Sequence, residues 1–201
     1  MLHEHKHDNH TKISTTRLEA FSDGVIAIII TITVLELKVP IGGTWEVLFS
    51  LIPLFVTYII SFHIVATYWI NHHHLLQATN HVSPGIMWAN LHLLFWLSLI
   101  PLATGWLGEN HGSSLPTAFY ASILCACAIA YTILQQLVIR HAENSHAIRE
   151  EINKSWKGKI SLASYLCAIP FAFVHPVISD ILIVAVAMMW FIPDQRIERH
   201  L

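Results

Sequence analysis

From Ala20 to Leu37 the chain reads AFSDGVIAIIITITVLEL, 18 residues with formal charges only near the two ends. At 1.5 Å per residue a helix over this stretch is roughly 27 Å long, just enough to cross the hydrocarbon core of a bilayer. Composition extends the same reading outward. Hydrophobic residues make up 54% of the 201 and Asp, Glu, Lys and Arg only 12%, against about 25% charged in a typical soluble domain. Mean hydropathy is +0.54, net charge is -2, and there are three cysteines. That balance excludes a disordered chain, a nucleic-acid binder and a disulfide scaffold. An all-α integral membrane protein is left.

Further apolar runs cover Val47 to Ile70, Ile86 to Leu107 and Leu115 to Ile139, each bounded by turn residues such as Pro40-Ile-Gly-Gly43 and Ser83-Pro84-Gly85. The last apolar region divides at His175-Pro176. Read as one helix, Ile160 to Ile192 would measure roughly 50 Å, too long for a membrane. Two short spans, Ile160 to Val174 and Val177 to Ile192, joined by a tight turn give six in all. The expected organisation is a polar, His-rich tail over 1–19, a six-helix membrane domain over 20–192 and a polar tail over 193–201. The polar opening and the Asp23 within the first run do not fit a cleaved signal peptide.

Basic residues set the expected orientation. With six spans, the N-terminal tail, the loop from Asn71 to Gly85, the loop from Arg140 to Lys159 and the C-terminal tail share one side. They hold three, none, five and two Lys or Arg, ten of the eleven, and only Lys38 faces the other way. By the positive-inside rule both termini are cytoplasmic, in a multi-pass protein of the plasma membrane. Five spans would separate Arg196 and Arg199 from the other cations, which favours the hairpin. Trp45, Trp88, Trp106, Trp156 and Trp190 all fall near span ends, where an aromatic belt belongs.

The first helix carries the unusual residues. Asp23 is a carboxylate in a lipid-spanning helix, a position that marks function by default. A structural reading competes: one turn into the helix, a negative charge is favoured by the helix dipole. A locking role ranks above direct ion contact. Ile28, Ile32 and Leu35 are spaced i, i+4, i+7 and form one stripe, with Thr31 beside it. Periodicity leaves open whether that stripe meets lipid, another helix or a pore, and a packing face is the default.

The stretch Arg17-Leu-Glu-Ala-Phe21-Ser22-Asp23-Gly24, the apolar helix after it and Leu35-Glu36-Leu37-Lys38-Val39-Pro40 resemble the first helix of bacterial members of the transmembrane protein 175 family. These are potassium channels related to the lysosomal potassium channel of animals. The likeness continues at Tyr68-Trp69-Ile-Asn71-His72-His73, at Asn90 to Pro101 and at Ile192 to Glu198. It implies a homotetramer of six-helix subunits in a lipid bilayer, the first helix of each lining a central pore. Ile28, Ile32 and Leu35 would form the constriction, Ile28 foremost, with Thr31 contributing to selectivity. No carbonyl filter of the Thr-Val-Gly-Tyr-Gly kind is present, so the resemblance implies a K+-permeable channel of modest K+ over Na+ selectivity, passing monovalent cations and needing no cofactor. It also implies a hydrogen-bonded network joining the motif residues Arg17, Phe21, Ser22 and Asp23 to polar groups on the second and third helices, with Trp69, Asn71, His72, His73 and Asn90 as candidates.

Histidine is the other anomaly, with 15 residues against 11 Lys and Arg. His72, His73 and His74, with His81 and tail residues His3, His5, His7 and His10, are weak candidates for transition-metal ligands; a solvated tail with one or two network histidines is the stronger reading. The alternative function is a proton- or metal-coupled secondary transporter using Asp23 and this histidine cluster, though no inverted repeat of the transporter kind is evident. His63, His92 and His175 lie in or beside spans and are expected to face the protein interior. No phosphate loop, HExxH or GxSxG element occurs, and no enzyme is expected.

Overall fold

The computed structural model describes residues 15–79, 82–141 and 156–191, all of them helical or in short connections. Its helices are α1 (Thr15–Thr33), α2 (Trp45–Ser50), α3 (Ile52–Gln77), α4 (Pro84–Ser98), α5 (Ile100–Glu109), α6 (Ser114–His141), α7 (Trp156–Val174) and α8 (Pro176–Met189). Five stretches are long and apolar enough to cross a membrane: Thr15–Glu36, Ile52–Gln77, Pro84–Glu109, Ser114–His141 and Trp156–Val174. Pro176–Met189 is a shorter apolar helix. The expected ends at residue 192 and beyond, and the tail histidines, lie outside the described residues.

The third expected span is broken. Pro101 has no N–H for the carbonyl one turn back, and its ring crowds that turn. The chain tightens there, with Leu99 N bonding Trp96 O at 3.2 Å, and α5 sets off after one residue. The two pieces still run on as one crossing stretch. At the other end of the chain, α7 stops at Val174 because Pro176 follows and His175 is extended (φ -158°, ψ 109°). The expected hairpin is present: Trp190, beyond the end of α8, donates its indole N–H to Ser161 Oγ near the start of α7, at 2.9 Å. Two helices meet in this way only if they run antiparallel.

Packing places α6 at the centre, against α4, α5, α7 and α8, while α1 lies on α3, α4 and α5. Over their most apolar 18 residues, half of the span Pro84–Glu109 and 44% of Ser114–His141 are buried, against 28% of the span containing α1 and 22% of those containing α3 and α7. So α1 is peripheral in a single subunit, with much of its surface uncovered. Lipid supplies no hydrophobic drive between helices; close approach and hydrogen bonds hold them instead. Both devices occur. A Cβ on Gly108 would lie 2.9 Å from Leu54 Cα, and one on Gly105 would overlap the Glu36 carboxylate, so these glycines seat α5 on α3 and on the end of the first span. Nearby, Ser61 Oγ is 2.7 Å from both Tyr120 Oη and Thr104 Oγ1, joining α3, α5 and α6 through buried hydroxyls.

Gly108→Ala is expected to lower stability by about 1–3 kcal/mol, the usual effect of overpacking against backbone. Gly158→Ala, where nothing lies within 4 Å, should not. Thermal unfolding of the two detergent-solubilised variants checks this; equal melting temperatures would contradict the close-packing role.

Candidate functional site

The first helix begins at Thr15, five residues before the apolar run, and this changes the reading of Asp23. It is the ninth residue of α1, more than two turns in, whereas the dipole effect fades within the first turn. The dipole explanation therefore fails. What Asp23 has instead is a neighbour on α3: the Trp69 indole N–H donates to Asp23 Oδ1 at 2.9 Å. The helix also ends earlier than the sequence suggests. Thr33 Oγ1 donates to the Ile29 carbonyl at 2.7 Å, and Val34–Glu36 is a 3-10 turn. Such tightening is common at helix ends, and Leu35 therefore sits in the 3-10 turn, off the α-helical register.

Two faces of α1 differ sharply. Leu18, Ser22, Ile26, Ile29 and Thr33 are buried against the subunit. On the opposite side Arg17, Phe21, Gly24, Ile28, Thr31, Ile32 and Leu35 are exposed along the whole helix, with Ile28 at 58% and Leu35 at 75%. Thr31 Oγ1, on the exposed side, donates to the Ile28 carbonyl at 2.9 Å, which occupies its hydrogen and leaves the oxygen free to accept. The exposed faces of α3 and α8 are different in kind: Phe55, Ile59, Phe62, Ile181 and Met188 form plain apolar surfaces of the sort lipid covers.

The expected polar network exists in part and is divided in two. In the interior, Asn90 of α4 donates from Nδ2 to Ser22 Oγ (2.8 Å), and Ser22 donates to the Leu18 carbonyl (2.8 Å). His72 Nε2 is 2.7 Å from Asn90 Oδ1; a carbonyl oxygen only accepts, so Nε2 carries the proton. Ser22, His72 and Asn90 are all fully buried. His72 Nδ1 has no partner among the described residues. A second, exposed group comprises Asp23 with Trp69, and Glu19 with His73 Nδ1 in an ion pair when the imidazole is protonated.

Other expected members are elsewhere. Arg17 and Phe21 point out along the bare stripe, and Asn71 donates to its own helix at the Thr67 carbonyl, 2.9 Å away. The three consecutive histidines do not converge: His72 turns inward, His73 reaches Glu19, and no cluster of three metal-ligating side chains occurs among the described residues. His63 is half-buried and bonds the Ala187 carbonyl (3.0 Å), as its position implied. His92 and His175 are exposed instead; His92 accepts from the Trp96 indole one turn on, at 2.8 Å, so its polar atom is satisfied within its own helix.

Several polar contacts have no sequence signature. The Ser61–Thr104–Tyr120 cluster uses hydroxyls indistinguishable in sequence from others that bond their own helix. At the opposite end of the first span from Asp23, Lys38 and Glu109 form an exposed ion pair; the Glu109 hydrogen bond and charge hold the Lys38 ammonium above its ordinary pKa.

A bundle of crossing helices, apolar over most of their length, defines a multi-pass membrane protein. Residues 17–101 match the family described as endosomal/lysosomal potassium channel TMEM175. A potassium channel of Chryseobacterium sp. (strain P1-3) is 50% identical over 185 residues, 92% of this chain and 96% of that protein. One of Streptomyces collinus is 35% identical over 126 residues, 59% of this chain and 61% of that protein. The fold is similar to the crystal structure of a lysosomal potassium-selective channel TMEM175 homolog from Chamaesiphon minutus, with a TM-score of 0.76, 30% identity, and coverage of 88% of this chain and 95% of that one. The chain belongs to the TMEM175 potassium channel family, a family of channels and not of enzymes.

The two polar groups should differ in weight. Asn90→Leu strands the buried His72 N–H and removes the Ser22 donor, for an expected loss of about 2–4 kcal/mol at roughly 1–3 kcal/mol per unsatisfied group. Trp69→Phe removes one exposed bond, worth about 0.5–1.5 kcal/mol. Comparing their unfolding temperatures checks the ranking, and an equal or reversed order would refute it.

Proposed function

We propose that the chain is one subunit of a homotetrameric, K+-permeable channel in which α1 of each copy faces a central axis. Six crossings per subunit place the polar His-rich tail over 1–19, the loop after α6 and the tail over 193–201 in the cytoplasm, with the membrane domain over 20–192 in the plasma membrane. The ten-to-one distribution of Lys and Arg supports this orientation. One observation carries the pore assignment: α1 is packed on one face and bare on the other, and the bare stripe combines Ile28, Ile32 and Leu35 with Arg17 at its mouth and Thr31 at mid-helix. The mid-helix hydroxyl of Thr31 on this otherwise aliphatic stripe suits a face that meets water and ions.

The mechanism follows from the side chains. Four copies of Ile28, with Ile32 and Leu35 beyond, close an aqueous path by dewetting when they converge. A slight widening readmits ions that shed part of their hydration shell. K+ holds its water less tightly than Na+ and pays less for that step, so selection is real but modest. Thr31 assists, because its hydrogen is engaged within the helix and only an acceptor oxygen is offered to the path, which suits a cation. Arg17 sits at the mouth as a motif residue, and the Ser22–Asn90–His72 chain with the Asp23–Trp69 bond acts by locking α1 in rotation. The histidines thereby have structural work, and no observation favours coupled transport.

Flux from liposomes holding purified protein, under separate K+, Na+ and proton gradients, tests the whole reading: K+ flux should dissipate with the electrical gradient and need no counter-ion. Ile28→Asn should raise current and bring the K+/Na+ permeability ratio toward unity; unchanged current and ratio would remove Ile28 from the pore. Thr31→Val should lower K+ permeability about fivefold, the effect of losing one interaction of about 1 kcal/mol.

A further inference from the structure

We propose that Lys38 tunes K+ entry: its ammonium, fixed on Glu109 beside the outer end of α1, sets the charge that a cation meets at that mouth. The inference rests on the pore and the orientation proposed above.

The chain leaves the first helix in a definite direction. After the 3-10 turn Val34–Glu36, Leu37 is extended (φ -75°, ψ 98°), and the residues on either side of it meet α5. Glu36 lays its carboxylate against Gly105, where a Cβ would overlap it, and Lys38 Nζ pairs with Glu109 Oε1. Gly105 and Glu109 are four residues apart in α5, neighbours on one helical face. The two contacts therefore follow one another along a single line. Glu109 ends α5, and the C-terminal end of a helix favours a cation.

Even within the pair, the Lys38 side chain is 73% exposed and that of Glu109 41%, so both charges act through water. Lys38 stays an ammonium there, because the Glu109 hydrogen bond and charge, and then the Glu36 charge, hold its pKa above the ordinary value. A pair this exposed adds little stability, which leaves its field as the larger consequence. Leu35, the last residue of the bare stripe, stands three residues before Lys38. Two carboxylates and one ammonium give each subunit one net negative charge at this point, and four copies would bring four to the axis. Charge of one sign at a narrow mouth concentrates counter-ions there. Without Lys38 the negative charge would double, and without Glu109 it would vanish. Lys38 is the one Lys or Arg that the six-span count puts on this side, so it alone restrains the gathering of K+ and Glu109 offsets it. Other carboxylates, such as Glu46 on α2, are the same in every variant below.

Whole-cell inward K+ current is recorded from cells expressing the full chain, with external K+ at roughly 0.01 M and roughly 0.1 M, where charges are screened over about 30 Å and about 10 Å. At the lower concentration Lys38→Gln should raise inward current about threefold and Glu109→Gln should lower it by a similar factor, the scale set by four unit charges about 10 Å from an ion in water. Both effects should shrink at the higher concentration. The double variant Lys38→Gln, Glu109→Gln should fall between the two singles. An anchor and nothing more would make all three variants change in the same direction; that result overturns the proposal, as does a charge effect that salt does not weaken. Because a substitution can disturb folding, charge is also added to assembled channels. Lys38→Cys is treated from outside with a cationic or an anionic thiosulfonate, and wild type, with its exposed Cys167, is the control. Inward current should fall with the first reagent and rise with the second, and the same response to both overturns the proposal. A wild type that passes no K+ sinks the channel reading and this one together, whereas K+ current indifferent to these charges sinks this one alone.

Discussion

The buried chain from His72 through Asn90 to Ser22 sets the rotation of α1 about its own axis. In hydrocarbon an unpaired polar group is costly, and an apolar helix with isoleucine on every side has little else to define its facing. Once Ser22 is turned to Asn90, Ile26 and Ile29 follow into the subunit and Ile28, Thr31 and Ile32 are left outside. In the proposed channel, three side chains on three helices would thus decide which residues an ion meets. Asp23 with Trp69 adds a second latch on the same end, exposed and weaker.

The other end of the first span meets α5 through the Glu36 side chain, and α5 is itself held on α3 by shape. Glu36 lies where a Cβ on Gly105 would be, and Leu54 fills the space a Cβ on Gly108 would take. Close approach of this kind is what associates helices when the solvent is as apolar as the side chains. Between the two ends, the buried face of α1 offers Ile26 and Ile29, which make dispersion contacts without directional bonds. In the proposed tetramer the constriction would therefore belong to the least directionally constrained part of the helix, between two anchored ends.

Much of the architecture was legible in the sequence because the membrane simplifies the problem. Charge scarcity defined the spans, and the Lys and Arg distribution argued for a turn between two last helices; the Trp190–Ser161 bond joins such a pair, of which Pro176–Met189 is shorter than the five stretches long enough to cross. What stayed illegible was local and geometric. Nothing in the run from Ala20 says that the helix begins at Thr15, yet that offset is what cancels the dipole account of Asp23. Nor does spacing tell His72 from His73: adjacent residues on a helix point about 100° apart, so one enters the core and the other meets Glu19. Asn71 and Arg17 were drawn into the network by adjacency in the motif, and helix rotation took both out of it.

The division of labour along α1 also bears on why selection would rest on aliphatic side chains. A polar ring at the narrow point would need partners in the closed state, when water is expelled, and each unsatisfied group there would cost about 1–3 kcal/mol. Ile28 and Ile32 need none, so a dewetted closed state carries no such penalty. Thr31 is the exception that fits the rule: its hydrogen is already bonded to the Ile28 carbonyl, so in the proposed pore its donor would stay satisfied when the path is dry and its oxygen would be open to a cation. The buried polar chain of Ser22, Asn90 and His72 lies on the opposite face of α1, where it would position the helix without standing in the proposed path.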